Sequence, residues 1–241
     1  MDYQKFNAAA ENFSASVSNE LALQSAFINR VFLWMTAGLA ITAFAAFFTA
    51  KNFSDYIATA PGIFWGLIVA EFLLVLGLTA AIRTISPAVA VIGFILFAAL
   101  NGVTLSWIFL VYNLNSITAT FLSTSLTFGI MGLYGWVTKR DLTAIGSLGT
   151  MFLLGLIISS VINIFLRNST FDLIISAVGV LVFVGLTAYD TQKIKQLAIS
   201  VGYGEVSEAD SRKMSIIGAL TLYLDFVNLF LYLLRFMGNR K

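Results

Sequence analysis

Asp225 sits at the middle of an apolar stretch, Met214 to Gly238, long enough to cross a bilayer as a helix. A carboxylate at that depth costs about 3 kcal/mol or more unless it finds a partner or a water-filled path. No basic residue lies within two turns of it on the same stretch, so its partner must come from elsewhere. Asn228 and Tyr232 follow at helical spacing and add oxygens to the same stripe. Glu71 is central in the stretch Pro61 to Ile82. Asp190 closes the stretch Leu173 to Tyr189, with Thr187 one turn back. Buried carboxyls of this kind can exchange protons. Once ionised they suit a hard cation such as Ca²⁺, which takes about six to eight oxygens in loose geometry. Plainer roles compete. Asp190 and Lys193 can form an interfacial salt bridge. Glu71 can be protonated, hydrogen-bonded to a Ser or Thr, and serve only to fix helix register. Arg83, ending the second stretch, can reach Asp190 or simply anchor its helix.

The elements that must position these residues follow from composition. The chain has 241 residues, 59% hydrophobic and 11% charged, against about 25% charged in soluble domains. It reads as an all-α integral membrane protein. Seven stretches, Val31 to Ala50, Pro61 to Ile82, Pro87 to Tyr112, Ile117 to Val137, Leu142 to Leu166, Leu173 to Tyr189 and Met214 to Gly238, are each about the ~20 residues a spanning helix needs. Period-two alternation is missing, which argues against a barrel. Pro61 and Pro87, the only prolines, fall where helices begin. Residues 26–241 are expected to form a single seven-helix membrane domain. Residues 1–25 are expected to form a polar cytosolic leader with no evident cleavable signal, fraying or lying along the membrane surface.

Orientation follows from the basic residues. With the N-terminus inside, the cytosolic segments hold Lys5, Arg30, Arg83, Lys139, Arg140, Lys193, Lys195, Arg212 and Lys213, against Lys51 and Arg167 outside. Arg235, Arg240 and Lys241 break the rule if the last stretch crosses fully, and obey it if that stretch is re-entrant. The glycines at 62 and 66, at 129, 132 and 135, and at 146 and 149 are spaced for helix–helix packing. Trp34, Trp65, Trp107 and Trp136 carry no evident chemistry.

The net charge of +2 gives no reason to expect a nucleic-acid partner. Without cysteine there is no disulfide or thiolate metal site, and without histidine any pH response must come from carboxylates. No Gly-rich phosphate loop is present, and no tightly bound cofactor is expected.

Four segments, FINRVFLWMT from Phe27, KRDL from Lys139, VGLTAYDTQKIK from Val184 and GALTLYLDFVNLFLYLLRF from Gly218, resemble the bacterial branch of the Bax inhibitor-1 family. The resemblance runs from about Phe27 to the end. It implies a seven-transmembrane helix bundle with a central seventh helix, and a pH-sensitive calcium leak channel of the bacterial inner membrane. It places the family's paired aspartates on Asp190 and Asp225, as weak Ca²⁺ ligands and pH sensors, and its latching basic residue on Arg83, where the surrounding TAAIRTIS carries no distinctive motif. Glu71 falls where related chains can carry an acid, and Glu71 and Asn228 would give polar support. Ca²⁺ and protons would be the species handled, in a lipid bilayer, with other membrane proteins as further partners.

Two carboxyls in contact share a proton and titrate as a pair, which supplies a pH response without histidine. Spacing alone does not deliver the contact. Asp190 falls near the membrane face and Asp225 well inside, a gap of roughly 10 Å at ~1.5 Å per residue. A non-transporting regulator of other membrane proteins is the alternative function. An intramembrane aspartyl protease is disfavoured, because Tyr223 and Leu224 precede Asp225 where Gly-x-Gly would be needed. No enzymatic activity is expected.

Overall fold

A computed structural model describes residues 3–53 and 61–241. Most of the connection between the first two stretches, residues 54–60, lies outside the described residues. The elements are α1 (Tyr3–Asn52), α2 (Pro61–Ala81), α3 (Pro87–Leu105), α4 (Ile108–Val111), α5 (Leu114–Val137), α6 (Thr143–Leu166), α7 (Ser169–Gly202) and α8 (Glu208–Met237). Among the described residues, six segments are long and apolar enough to cross a membrane: α1, α3 with α4, α5, α6, α7 and α8. The apolar part of α2, Trp65–Ala81, is shorter. The protein is an all-α, multi-pass membrane protein.

Both prolines open helices as their chemistry requires. Pro61 starts α2, and Pro87 starts α3 behind Ser86, whose Oγ accepts from Val89 N. Most of the leader belongs to α1, one helix from Tyr3 to Asn52. Two expectations need correction. The third stretch breaks at Ser106 and Trp107 into α3 and the short α4. Asp190 does not close its helix: α7 continues to Gly202 and α8 begins at Glu208, so the expected long loop is mostly helix. The residues after Asp190 include Gln, Lys, Leu and Ala, which favour helix as well as the membrane stretch does. The turn between α7 and α8 is set by Gly204, at φ 73, a left-handed conformation suited to glycine. Ser207 then caps α8, its Oγ accepting from Asp210 N at 3.1 Å.

Helix α8 packs against α1, α3, α5 and α7, and it has the largest buried share of the six spanning segments, 61% of its most apolar window. Around it, the rings of Phe94 and Phe97 meet Tyr223 edge-on, and those of Phe121 and Phe128 meet Phe226. The last helix is unbroken, so its tail emerges at the far end of the bundle. There Lys241 N donates to Val111 O at 2.8 Å, and Arg235 and Arg240 lie 3.4 and 3.6 Å from Asp172 at the start of α7. Asp172 partly offsets the tail's positive charge.

The small-residue spacings divide. A Cβ on Gly135 would meet Ala188 O at 2.1 Å, one on Gly146 the Tyr189 ring at 2.6 Å, and one on Gly149 the Leu186 side chain at 2.7 Å. These glycines let α5 and α6 approach α7. Gly62, Gly66 and Gly129 face no described atom within 4 Å, so the GxxxG of α2 makes no such contact among the described residues. Gly135→Ala is expected to destabilise the protein by about 2 kcal/mol or more, because the obstacle is backbone. Gly66→Ala should leave stability unchanged or slightly raised. Thermal unfolding in detergent micelles distinguishes the two.

Candidate functional site

The hairpin of α7 and α8 brings Asp190 and Asp225 together. Because α7 runs past Asp190 and α8 starts before Met214, neither carboxyl is at a helix end, and the depth mismatch expected from the apolar stretches disappears. The two side chains face one another closely enough for each carboxyl to act on the other. A hydrogen bond between two carboxyls would need a proton held between them. Asp225 is only 4% exposed, and its Oδ2 has no hydrogen-bond partner among the described residues. Asp190 is half-buried.

Asp190 also borders a cavity of about 400 Å³. Arg83, Lys193, Asp210 and Lys213 share its wall with Ile82, Leu197 and Ile217. The cavity is open to the end of the bundle where α2 ends and α8 begins. Arg83 thus faces the same space as Asp190 but makes no ion pair with it. The cation that acts on Asp190 is Lys193, three residues on. Lys213 is held by Asp210 at 2.8 Å and lies 3.4 Å from Arg83 O.

The supporting residues do not join the pair. Asn228 Nδ2 donates to Leu224 O at 2.8 Å, and Thr187 Oγ1 to Phe183 O at 2.7 Å, so both side chains are spent on their own helices. Glu71 belongs to a separate buried network. Thr104 Oγ1 donates to Glu71 Oε1, and Asn101 Nδ2 donates to Glu71 Oε2 at 2.9 Å. Tyr223 OH donates to Asn101 Oδ1 at 3.0 Å and lies 2.7 Å from Thr42 Oγ1. This network ties α1, α2, α3 and α8 together. The expected bond from Glu71 to a threonine is present. Among the described residues no group of three or more acids, histidines or cysteines gathers at one point. A cation at the aspartate pair would complete its shell with carbonyls and water.

Sequence reasoning missed Asn101 as a partner for Glu71, and Tyr223 and Thr42 as the next links of its network, since single polar residues in apolar helices do not announce what they face. It also missed Gln192. Its amide accepts from Leu142 N at 3.0 Å and donates to Arg140 O at 2.8 Å, while Lys195 Nζ donates to Trp136 O at 2.6 Å. Together they fasten the basic α5–α6 turn to α7.

Residues 24–241 match the family described as inhibitor of apoptosis-promoting Bax1. The chain is 44% identical over 230 residues to the inner membrane protein YbhL of Escherichia coli strain K12, covering 95% of this chain and 97% of that one. An uncharacterized protein of Borreliella burgdorferi is 42% identical over 224 residues, covering 92% and 95%. One from Deinococcus radiodurans is 40% identical over 215 residues, covering 89% and 90%.

The Glu71 network yields a direct expectation. Tyr223→Phe removes the hydroxyl between Thr42 and Asn101 and leaves buried polar atoms short of a partner, at a cost of about 1–3 kcal/mol. A lowered thermal midpoint in detergent checks this. An unchanged midpoint would mean that water takes the hydroxyl's place.

Proposed function

The chain belongs to the Bax inhibitor-1 family, and from that premise we propose that it is a pH-sensitive calcium leak channel gated by Asp190 and Asp225. One observation carries the reading: two carboxyls from different spanning helices facing one another inside an apolar bundle, one of them almost wholly buried. With a proton between them the pair carries at most one negative charge and binds a divalent cation poorly. When that proton leaves, two carboxylates repel one another and present up to four oxygens to a hard cation. Conduction needs binding firm enough for entry and weak enough for release, which a site of two carboxylates and water satisfies. The cavity beside Asp190 supports entry from the basic end. Arg83, in its wall, is the latch: it competes with the cation for Asp190 when that carboxylate is charged. The ions handled are Ca²⁺ and protons, and neither a catalytic residue nor a tightly held cofactor is assigned.

In this reading the chain crosses the inner membrane seven times, α2 included, with α8 as the central helix and the N-terminus in the cytosol. The arginines and lysines at the ends of α2, α5 and α7 and at the start of α8 support that orientation. A second reading, a non-transporting regulator that binds other membrane proteins, is favoured by the family's printed description. There the aspartate pair would lock a conformation instead of passing an ion.

Asp190→Asn and Asp225→Asn are each expected to flatten the pH dependence of Ca²⁺ flux in proteoliposomes. An unchanged profile would refute the gate, and no flux from the unaltered protein would favour the regulator. Arg83→Ala should raise the leak severalfold, and an equal leak would reduce Arg83 to an anchor.

A further inference from the structure

A second cavity lies at the same basic end of the bundle, on the side of α8 turned towards α1 and α3. It measures about 710 Å³. Arg30, Leu33 and Trp34 of α1, Pro87, Ala88 and Ile92 of α3, and Arg212 and Ser215 of α8 line it. It shares no lining residue with the cavity beside Asp190.

The polar side of this cavity lacks an anion. Arg30 Nη1 is fully enclosed and has no hydrogen-bond acceptor among the described residues. A buried guanidinium donor left unpaired is costly, and carboxylate or phosphate oxygens are the acceptors its planar fork fits. Among the described residues the Arg212 guanidinium pairs with Glu208 alone, one turn back at 2.5 Å, and both side chains are more than half exposed. Glu208 also feels the charge of Arg30. Two guanidiniums against one carboxylate leave a positive charge uncompensated. The first turn of α3, the positive end of its dipole, opens into the same space through Pro87 and Ala88.

The other side of the cavity is apolar and turned outward. Leu33 is 68% exposed and Ile92 65%. In a membrane these side chains meet acyl chains, and the two arginines, Arg30 at the edge of the apolar run of α1 and Arg212 in the second turn of α8, meet headgroups. A site with cations at one edge and a lipid-facing apolar slope at the other fits an amphiphile better than a free ion. We propose that this cavity binds the phosphate of an anionic phospholipid, held by Arg30 and Arg212, with an acyl chain along Leu33 and Ile92.

Trp34 lies in the wall and reports on occupancy. In a chain carrying Trp65→Phe, Trp107→Phe and Trp136→Phe, Trp34 fluorescence is read in phosphatidylcholine vesicles containing brominated phosphatidylglycerol or, separately, brominated phosphatidylcholine. Each surface arginine contributes about 1 kcal/mol towards an anionic lipid. The relative binding constant for phosphatidylglycerol is therefore expected to exceed that for phosphatidylcholine by about fivefold or more. Arg30→Gln should bring the ratio close to one, and Arg212→Gln should lower it. Equal quenching by the two lipids, or a ratio unmoved by both substitutions, overturns the proposal. Loss of the preference on adding millimolar glycerophosphate would assign the site to soluble phosphate esters, and the lipid with it would fall. If the single-tryptophan chain does not fold, native mass spectrometry of the unaltered chain and of Arg30→Gln, each offered both lipids in micelles, makes the same comparison.

Discussion

An acid in the middle of a spanning helix cannot be hydrated from either side, and the arrangement of this bundle depends on that constraint. Asp225 is almost wholly enclosed, and the group it meets is a second carboxyl. Among the described residues no basic side chain pairs with it. Two carboxyls this close cannot both ionise cheaply, and a shared proton lowers the cost of their contact. A lysine or arginine in place of Asp190 would give a static ion pair.

Helix α8 carries polar groups on two opposed sides. Tyr223 and Asp225, two residues apart, point away from each other. Tyr223 turns to α1 and α3, where Thr42 and Asn101 satisfy it and Asn101 passes the network on to Glu71 of α2, and Asp225 turns to α7. The first network is closed, each carboxylate oxygen of Glu71 receiving a donor, and it behaves as a fastener. The second leaves Asp225 Oδ2 without another donor, and it has capacity for a proton or a cation. Two acids of similar depth thus hold different posts because one was given donors and the other was not.

Charge is sorted between the two ends of the bundle. Arg30, Arg83, Lys193, Arg212 and Lys213 collect around two cavities at one end. At the other, the cations of the tail are drawn onto Asp172 and onto the carbonyl of Phe109, which accepts from Lys241 Nζ at 2.7 Å. The three tail cations that seemed to break the charge asymmetry are therefore partly offset where they stand. Within the basic end, the wall facing α7 includes Asp190, while the wall facing α1 has no carboxylate to balance Arg30 beyond the exposed Glu208. Of the charged residues in their walls, one cavity has two acids among its cations, the other arginines alone.

Hydropathy alone determined that the chain is helical and membrane-bound, because runs of apolar residues without period-two alternation have one way to satisfy their backbone in lipid. The prolines located the starts of α2 and α3, since a residue with no N–H is harmless only there. The rarity of acids in such runs singled out Asp190, Asp225 and Glu71. What these residues touch was not legible. Hydropathy marks where apolar residues stop, whereas a helix stops where its backbone bonds stop, and α7 outruns its apolar stretch by enough to bring Asp190 level with Asp225. The same limit hid the fate of Asn228 and Thr187, whose polar atoms turned back to their own helices. The unpaired Arg30 was invisible for a further reason. A cavity is the space that three helices leave between them, and it belongs to none of their sequences.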